Sequence, residues 1–436
     1  MSPQPSRHSQ DLPPGTRAVG TARNRPPSPV TTTLTALVAL AALGLSACAG
    51  GTDPASGTVA EPQSTAPQST TPQSGGATPH GYVEGASELS EPALSLLSVS
   101  EAGQVSLLTL TDLSSQDITT LDHADHVATD GRFLAAGLDG GGVALVDSGV
   151  WLVDHGDHQH YYRAPARSLA TLTDLSGAPF ITSGERLSVV GTGTTAVLLD
   201  RQELGAGTVS ELSRTTIDEG SLAAPLGEGW VVVSGGTVSV LDQGGTPVAG
   251  FSQNCASPQG GTTTRVGVVL NCEGGAVLAT VDATDGTAAL ERIDLPEGTD
   301  AAARPHSFNS RPGRPTVAAL DDTGGYWLLD TRARTWSHVD SAPLVAVASV
   351  DDRRDRVVGM DSEGRLHIWS DGELATSTDP IASTRLGGGA LFVDATRAYV
   401  PAAGGDQVLE IDIADSARVA RTIEAPGLRS FVEVGL

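Results

Sequence analysis

The chain has 436 residues and carries 51 acidic against 26 basic side chains, a formal net charge of −25 at pH 7. All of the basic residues are arginine, since the sequence contains no lysine. Nucleic acids and anionic lipids are bound through basic surfaces, so this balance argues against both as partners. An acidic surface attracts cations; it is equally expected of a protein whose surface is adapted for solubility.

The first 48 residues have the pattern of an export signal. Four arginines precede an apolar run at residues 30–43, which is too short to span a membrane comfortably. The run ends in Leu-Ser-Ala-Cys48, which resembles the lipobox of bacterial lipoproteins. That resemblance implies lipidation of Cys48 and anchoring to the cell membrane; ordinary secretion with cleavage near Ala47 is the alternative. Both predict an extracytoplasmic mature chain, with 22 arginines against 50 acids and a net charge of −28.

Residues 49–91 are predicted to be a disordered tether. The sequence Pro-Gln-Ser-Thr occurs at 62–65 and again at 67–70, and Pro-Gln-Ser follows at 72–74. Proline, serine, threonine and glycine dominate, and large apolar residues are nearly absent from most of the segment. Such a segment buries too little surface to fold, so we expect it to hold the domain away from the membrane.

Residues 92–436 are predicted to form an all-β domain, because short Val-, Leu- and Thr-rich runs alternate with Gly, Asp and Ser. An aspartate closes, or nearly closes, one apolar run in each of eight units, at steps of 35 to 53 residues. A period of about 43 residues is typical of a four-stranded propeller blade. We therefore predict a β-propeller of eight four-stranded blades, with seven as the alternative. The aspartates are interpreted as turn residues: Asp112, Asp147, Asp200, Asp242, Asp282, Asp330, Asp371 and Asp412.

The two ends of this domain favour a closed ring. The first unit has only three predicted strands, and a spare strand, Ser-Phe-Val-Glu-Val, begins at Ser430. We predict that this C-terminal strand becomes the innermost strand of the first blade and so removes an open sheet edge.

Two cysteines remain in this domain, Cys255 and Cys272. In an oxidising compartment an isolated pair predicts a disulfide, here between neighbouring strands.

The most informative motif is Asp-His-Gly-Asp-His-Gln-His-Tyr-Tyr at residues 154–162. It contains three of the ten histidines of the chain, and imidazole is the commonest protein ligand for metals. Carboxylates join such sites or orient the imidazoles from behind. A second pair of histidines lies upstream, also flanked by aspartate. The candidate ligands are therefore His155, His158, His160, His123 and His126, supported by Asp154, Asp157 and Asp125.

On the predicted propeller, the triple-histidine loop connects blades two and three and shares one face with His126 and His306. We therefore expect these three elements to converge on one ion, with His123 and His338 as weaker candidates. Met360 is the sole methionine after the signal, which disfavours Cu(I); imidazole and carboxylate ligands suit zinc. Cu(II) and Ni(II) are expected to bind in vitro as well.

An extracytoplasmic propeller with Val-Asp-Ser-Gly-Val-Trp at 146–151, followed by the histidine-rich motif, resembles the AztD family. Those proteins are zinc metallochaperones that load the solute-binding protein of a zinc ABC transporter. The resemblance implies that this chain carries zinc and is not an enzyme. It implicates His155, His158 and His160, with His126 and His306 completing the site. Family members often carry a mobile N-terminal segment rich in His and Asp, whereas this tether has only His80.

Two alternatives come from other classes of protein. One is a metal-dependent hydrolase or lactonase, in which an open zinc site activates water and Asp157 or Asp125 acts as the base. The sequence has no Gly-x-Ser-x-Gly motif to support it. The other is a scaffold that binds protein or glycan, because propellers host many unrelated functions.

Overall fold

A computed structural model describes residues 83–122, 124–154, 158–300, 302–385 and 391–436. The predicted signal, the lipidation site Cys48 and the tether up to residue 82 lie outside these ranges. His123, His155 and Asp157 also lie outside them, and for Asp125 only the backbone is described.

The described residues are almost entirely β-structure, which confirms the predicted class. They form eight antiparallel four-stranded sheets and one three-stranded sheet. We number the four-stranded sheets one to eight. Sheet one contains β35 (Leu428–Val434), β2 (Ser95–Ser100), β3 (Gln104–Thr109) and β4 (Ser115–Thr120). Sheet two contains β5 (Ala124–Thr129), β6 (Phe133–Leu138), β7 (Val143–Asp147) and β10 (Arg167–Leu172).

In the remaining six sheets, four strands that are consecutive in sequence are also neighbours in space. Sheet three is β11 (Pro179–Ser183), β12 (Leu187–Thr192), β13 (Thr195–Asp200) and β14 (Glu211–Thr216), with helix α1 (Arg201–Ala206) after β13. Sheet four is β15 (Ala224–Leu226), β16 (Gly229–Ser234), β17 (Thr237–Leu241) and β18 (Pro247–Asn254). Sheet five is β19 (Gly261–Thr263), β20 (Val268–Cys272), β21 (Gly275–Val281) and β22 (Ala288–Asp294).

The last three sheets follow the same order. Sheet six is β23 (His306–Asn309), β24 (Thr316–Leu320), β25 (Tyr326–Asp330) and β26 (Thr335–Val339). Sheet seven is β27 (Leu344–Ser349), β28 (Val357–Asp361), β29 (Leu366–Ser370) and β30 (Glu373–Ser377). Sheet eight is β31 (Phe392–Val393), β32 (Arg397–Pro401), β33 (Gln407–Asp412) and β34 (Arg418–Glu424).

The three-stranded sheet is formed by β1 (Ser87–Leu89), β9 (Gln159–Arg163) and β8 (Val150–Asp154), in that order. Strand β1 lies inside the segment predicted to be a disordered tether, so ordered structure begins before residue 92. Its three residues, Ser-Glu-Leu, are too few to stand out in a Ser- and Glu-rich segment.

The buried side chains explain why each strand occupies its position. The middle strands of a sheet are covered on both faces, as in β7, where all five residues of Val-Ala-Leu-Val-Asp are buried. The fourth strands alternate, as in β14, where exposed and half-buried residues follow one another. Apolar clusters form between consecutive sheets, for example between sheets one and two around Leu97 and Val146. Another joins sheets eight and one around Tyr399 and Phe431.

Seven of the eight periodic aspartates lie at the end of the third strand of a sheet or directly after it, and Asp112 lies three residues past the end of β3. Six of the eight accept a hydrogen bond from a backbone N–H of the following turn, which confirms that they are turn residues. A seventh, Asp200, caps the N-terminus of α1 by accepting from the N–H of Glu203. The eighth, Asp371, instead accepts from the guanidinium of Arg354.

The predicted C-terminal strand pairs as expected. Strand β35 lies antiparallel to β2, with Ser95 opposite Val434 and Val99 opposite Ser430. The predicted disulfide is also present: it joins Cys255, after the last strand of sheet four, to Cys272, at the end of β20 in sheet five. Both cysteines are fully buried. None of the described helices is long and apolar enough to cross a membrane.

Candidate metal centre

The histidine-rich motif lies in a β-hairpin, β8 and β9, that is inserted between the third and fourth strands of sheet two. The expectation that this loop connects blades two and three is therefore wrong. The reason is β10: its sequence, Arg-Ser-Leu-Ala-Thr-Leu, has only one buried residue, and it was not recognised as the outer strand of the sheet. Asp147, which precedes the hairpin, ends the third strand of sheet two, and the fourth strand of the same sheet follows only after the hairpin.

A stack of side chains fixes the base of the hairpin to sheet two. The guanidinium of Arg132 lies 3.8 Å from the ring centroid of Trp151. Its Nε and Nη2 atoms each donate a hydrogen bond to the Asp147 carboxylate at 2.9 Å. Trp151 in turn stacks on Tyr162, with ring centroids 5.4 Å apart. Tyr162 is fully buried, and this burial raises the pKa of its hydroxyl, with a further contribution from the carboxylate of Glu88. The hairpin is thus anchored by a cation–π contact and an aromatic pair.

Two histidines of the motif converge at the outer part of the hairpin. The Nε2 atoms of His158 and His160 are 3.0 Å apart, with the two rings edge to face. His160 lies on the same face of β9 as Tyr162, because residues two apart on a strand point the same way. At this distance the two ring nitrogens share a hydrogen bond, on the exposed side of the hairpin.

A carboxylate approaches His160 from the opposite side. Glu88, on β1, has an oxygen 2.6 Å from Nδ1 of His160. The side chain of His160 is 27% exposed and that of Glu88 48% exposed. A hydrogen bond from Nδ1–H to a carboxylate fixes the tautomer that leaves Nε2 free to bind a metal, and it increases the basicity of the imidazole. Glu88 is a candidate site residue that the sequence did not indicate, because 72 positions separate it from His160.

The end of the hairpin holds the remaining described member of the motif. Asp154 lies opposite Gln159, whose amide donates to the Asp154 carboxylate at 3.3 Å. The next three residues, which include His155 and Asp157, are not described. Among the described residues, no group of three or more His, Cys, Asp or Glu side chains is arranged to hold a metal ion.

The histidines expected to converge with this loop lie elsewhere. His126 is near the start of β5 and His306 starts β23, so both lie at the edge where the first strand of a sheet begins. In an antiparallel sheet the connection between the third and fourth strands lies at the opposite edge, and the hairpin emerges there. The predicted convergence of His126 and His306 with the hairpin is therefore wrong.

His306 and His338 instead contact neighbouring aspartates of sheet six. Nε2 of His306 is 3.1 Å from Asp322. His338 lies between two carboxylates, with Nε2 2.7 Å from Asp321 and Nδ1 3.2 Å from Asp340. His367 bridges Asp361 and Ser377 within sheet seven.

The residues of the hairpin fit zinc. With Zn–N distances of about 2.0–2.1 Å, two imidazole ligands of a tetrahedral ion are separated by roughly 3.3 Å. The 3.0 Å between the Nε2 atoms of His158 and His160 is close to that value. The Glu88–His160 contact has the pattern of the outer carboxylates found behind zinc-bound histidines.

Neither a protein-family model nor a curated protein matches the sequence. Several solved structures match the fold. Citrobacter koseri AztD has a TM-score of 0.62 at 17% identity, over 78% of this chain and 97% of that chain. Apo AztD from the same organism has a TM-score of 0.63 at 16% identity, over 79% and 98%. The predicted resemblance to AztD is confirmed for the fold.

A less similar structure is the dihydro-heme d1 dehydrogenase NirN in complex with DHE. Its TM-score is 0.50 at 15% identity, over 79% of this chain and 75% of that chain. The similarity to NirN and to AztD shows a shared fold and carries no residue roles, because the identities are low. Function must therefore be argued from the hairpin itself.

Proposed function

We propose that this protein is an extracytoplasmic zinc metallochaperone that delivers zinc to the solute-binding protein of a zinc ABC transporter. The observation that carries the proposal is the convergence of His158 and His160, with Nε2 atoms 3.0 Å apart and Glu88 behind His160. The fold similarity to AztD and the family resemblance of the histidine-rich motif support it.

In this proposal His158 and His160 supply two ligands through Nε2. His155 and Asp157 stand between β8 and β9 in the sequence, outside the described residues, and we assign His155 as the third ligand. Asp157 and Asp154 support the site from behind. His126 and Asp125 lie in β5 at the opposite edge of sheet two, and His306 lies at the corresponding edge of sheet six, so we leave them out of this site; His123, which precedes β5 in the sequence, is left out with them.

The position of the site suits a carrier. The ligands lie on an exposed hairpin and not inside a closed cage, so an incoming ligand from a partner can replace them one at a time. Imidazole binds zinc only when its ligating nitrogen is deprotonated, so acidification releases the ion. The net charge of −25 raises the local concentration of cations near the protein, an effect that salt screens.

We also propose that the eight four-stranded sheets are eight blades of one closed propeller. Pairing of β35 with β2 and the apolar cluster between sheets eight and one support closure. In the same proposal residues 1–48 are the export signal and Cys48 carries the lipid anchor to the cell membrane.

The decisive experiment is zinc titration of the metal-free protein against a chromophoric competitor. We expect one tight site in the wild type, with at least tenfold weaker binding in His158→Ala and in His160→Ala, because each loses one of few imidazole ligands. The control is His367→Ala, which removes a histidine that bonds within sheet seven and should leave the affinity unchanged. Stoichiometric transfer of the bound zinc to a zinc solute-binding protein tests the second half of the proposal.

Absence of zinc binding by the wild type would contradict the metallochaperone. Equal affinity of the wild type and both variants would move the site away from the hairpin. Because NirN shows that this fold also hosts enzymes, the zinc-loaded protein is also tested with ester and lactone substrates. Zinc-dependent turnover abolished by His160→Ala would favour the hydrolase alternative.

A further inference from the structure

We propose that strand β1 is a detachable clasp on the metal centre: it holds Glu88 against His160 while zinc is bound, and its release weakens binding for delivery. Glu88 is in this view a positioning residue that acts through His160. The inference rests on the proposed zinc-carrier function and adds to it the element that controls affinity.

The first step of the argument is the contact itself. The 2.6 Å between the Glu88 carboxylate and Nδ1 of His160 is the distance of a strong, charge-assisted hydrogen bond. With the proton held on Nδ1, Nε2 keeps its lone pair and faces Nε2 of His158. Losing Glu88 would allow the ring to rotate and to place the proton on either nitrogen.

The second step concerns how weakly β1 is attached. It pairs with β9 over three residues, with Ser87 opposite Arg163, Glu88 opposite Tyr162 and Leu89 opposite Tyr161. Ser87 and Glu88 are exposed, and Leu89 is half-buried. By contrast, β8 pairs with β9 over five residues, and its base is fixed by the Arg132 stack. Short edge strands with few buried side chains belong to the least stable parts of a fold.

The third step is the order of elements along the chain. β1 lies at the outer edge of the three-stranded sheet, so it can leave without disturbing the pairing of β8 with β9. Only five residues separate its last residue from β2 in sheet one. The segment that precedes it is the one predicted to be the tether. Force or binding on that segment would reach Glu88 before it reached the ligands.

The first test compares Glu88→Ala and Glu88→Gln with the wild type by competitive zinc titration of the full-length protein in detergent. We expect 10- to 100-fold weaker binding in Glu88→Ala with unchanged stoichiometry, as for other carboxylates behind zinc-bound histidines. Glu88→Gln should fall between, because its amide oxygen still accepts from Nδ1–H but carries no charge. The matched control is Glu91→Gln, an exposed carboxylate three positions along.

A spectroscopic measurement separates positioning from loss of folding. The ¹⁵N shifts of the His160 ring should report an Nδ1–H tautomer in the wild type and a mixture of tautomers in Glu88→Ala, with the histidines outside the hairpin unchanged. If the wild type binds zinc but Glu88→Ala binds it equally well, the clasp is wrong and the carrier function stands. If the wild type binds no zinc, the carrier function itself is wrong.

A second test locks the strand. Ser87 and Arg163 lie directly opposite each other, so Ser87→Cys with Arg163→Cys joins β1 to β9 by a disulfide. We expect the oxidised variant to keep its zinc affinity and to release zinc to a chelator at least tenfold more slowly than the same variant after mild reduction. The native Cys255–Cys272 disulfide is fully buried and serves as the internal control. Equal release rates in the two states would overturn the clasp.

Discussion

The carboxylate of Asp147 accepts hydrogen bonds from three residues. It accepts two hydrogen bonds at 2.9 Å from Arg132, a third at 3.3 Å from Arg167, and a fourth from the backbone N–H of Gly149. Its side chain is fully buried and that of Arg132 is 5% exposed. A buried pair of this kind is held together because either partner alone would be an uncompensated charge in a medium of low polarity.

We expect Asp147→Asn to lower the free energy of unfolding by roughly 3–5 kcal/mol, because the arginine stays buried without its counter-charge. Urea denaturation measures this change. Asp371→Asn is the control: it breaks an exposed pair with Arg354, for which the expected loss is below about 1 kcal/mol. Similar losses in the two variants would contradict the buried-pair argument.

At this scale the sequence predicted local roles better than distant ones. The turn role of Asp147 follows from its place after an apolar run, since a carboxylate can accept from the backbone two residues ahead. Its ion pair with Arg132 joins two residues that are 15 positions apart, and no short sequence motif predicts it. The same holds for Glu88, one of several glutamates in a polar segment, whose role depends entirely on the pairing of β1 with β9.

The inserted hairpin depends on a backbone feature at its base. Gly149 has a φ of +72°, and a Cβ atom at this position would lie 2.2 Å from the carbonyl oxygen of Ala164. The two ends of the hairpin approach closely here, and the N–H of Ala164 donates to the carbonyl of Gly149 at 2.7 Å. Glycine is therefore required both for the conformation and for the space.

We expect Gly149→Ala to open the base of the hairpin, because the added Cβ atom would displace the backbone there. Displacement of the histidine ligands should then weaken zinc binding by about tenfold, which corresponds to a loss of about 1.4 kcal/mol in binding free energy. Amide hydrogen exchange should accelerate in β8 and β9 and remain unchanged in sheet five. The control is Gly140→Ala, where a Cβ atom would meet nothing within 4 Å. Unchanged exchange in the hairpin would show that the backbone there absorbs the extra atom.

The elements divide into those that the sequence indicated and those that it did not. The buried third strands were visible because apolar runs such as that of β7 end in a turn aspartate. The fourth strands face solvent on one side, so β10 carries little apolar signal and was overlooked. That omission moved the histidine-rich loop to the wrong edge of the sheet.

At the scale of the whole molecule, the C-terminal strand β35 contains a carboxylate, Glu433, that is buried away from solvent. Glu433 is fully buried, and neither of its oxygens has a hydrogen-bond partner within the described residues. Burial raises the pKa of Glu433 well above 4.5, and the charges of Asp394 and Glu410 raise it further. The raised pKa means that the folded state favours the protonated form of Glu433. Its contribution to the free energy of unfolding is therefore fully present below pH 4.5 and is lost as the pH rises through the pKa of the folded state.

Glu433→Gln should therefore stabilise the protein at pH 8 by at least roughly 1 kcal/mol and change its stability little at pH 4.5. Thermal and urea unfolding over this pH range measure the difference. The control is Glu373→Gln, which alters an exposed carboxylate in β30 and should not alter the pH dependence. A constant difference between the wild type and Glu433→Gln at all pH values would refute the assignment.

The sequence predicted the β-structure, the repeat and the pairing of β35 with β2, because each has a periodic or terminal signal. It did not predict which histidines share an edge. Successive connections in an antiparallel sheet alternate between its two edges. If one strand is missed, every later loop of that sheet is therefore assigned to the wrong edge. His126 and His306 lie near the start of first strands, whereas the hairpin lies at the other edge.

Strand β2 is made early, yet its partner Val434 is 339 positions later than Ser95. At about 5–20 residues per second, synthesis of the intervening chain takes roughly 17–70 s. Through that interval the growing polypeptide has an unpaired β2 edge, which is a template for intermolecular pairing. Passage across a membrane in an extended state would postpone folding until both strands are available, so the export route itself would protect this topology from aggregation.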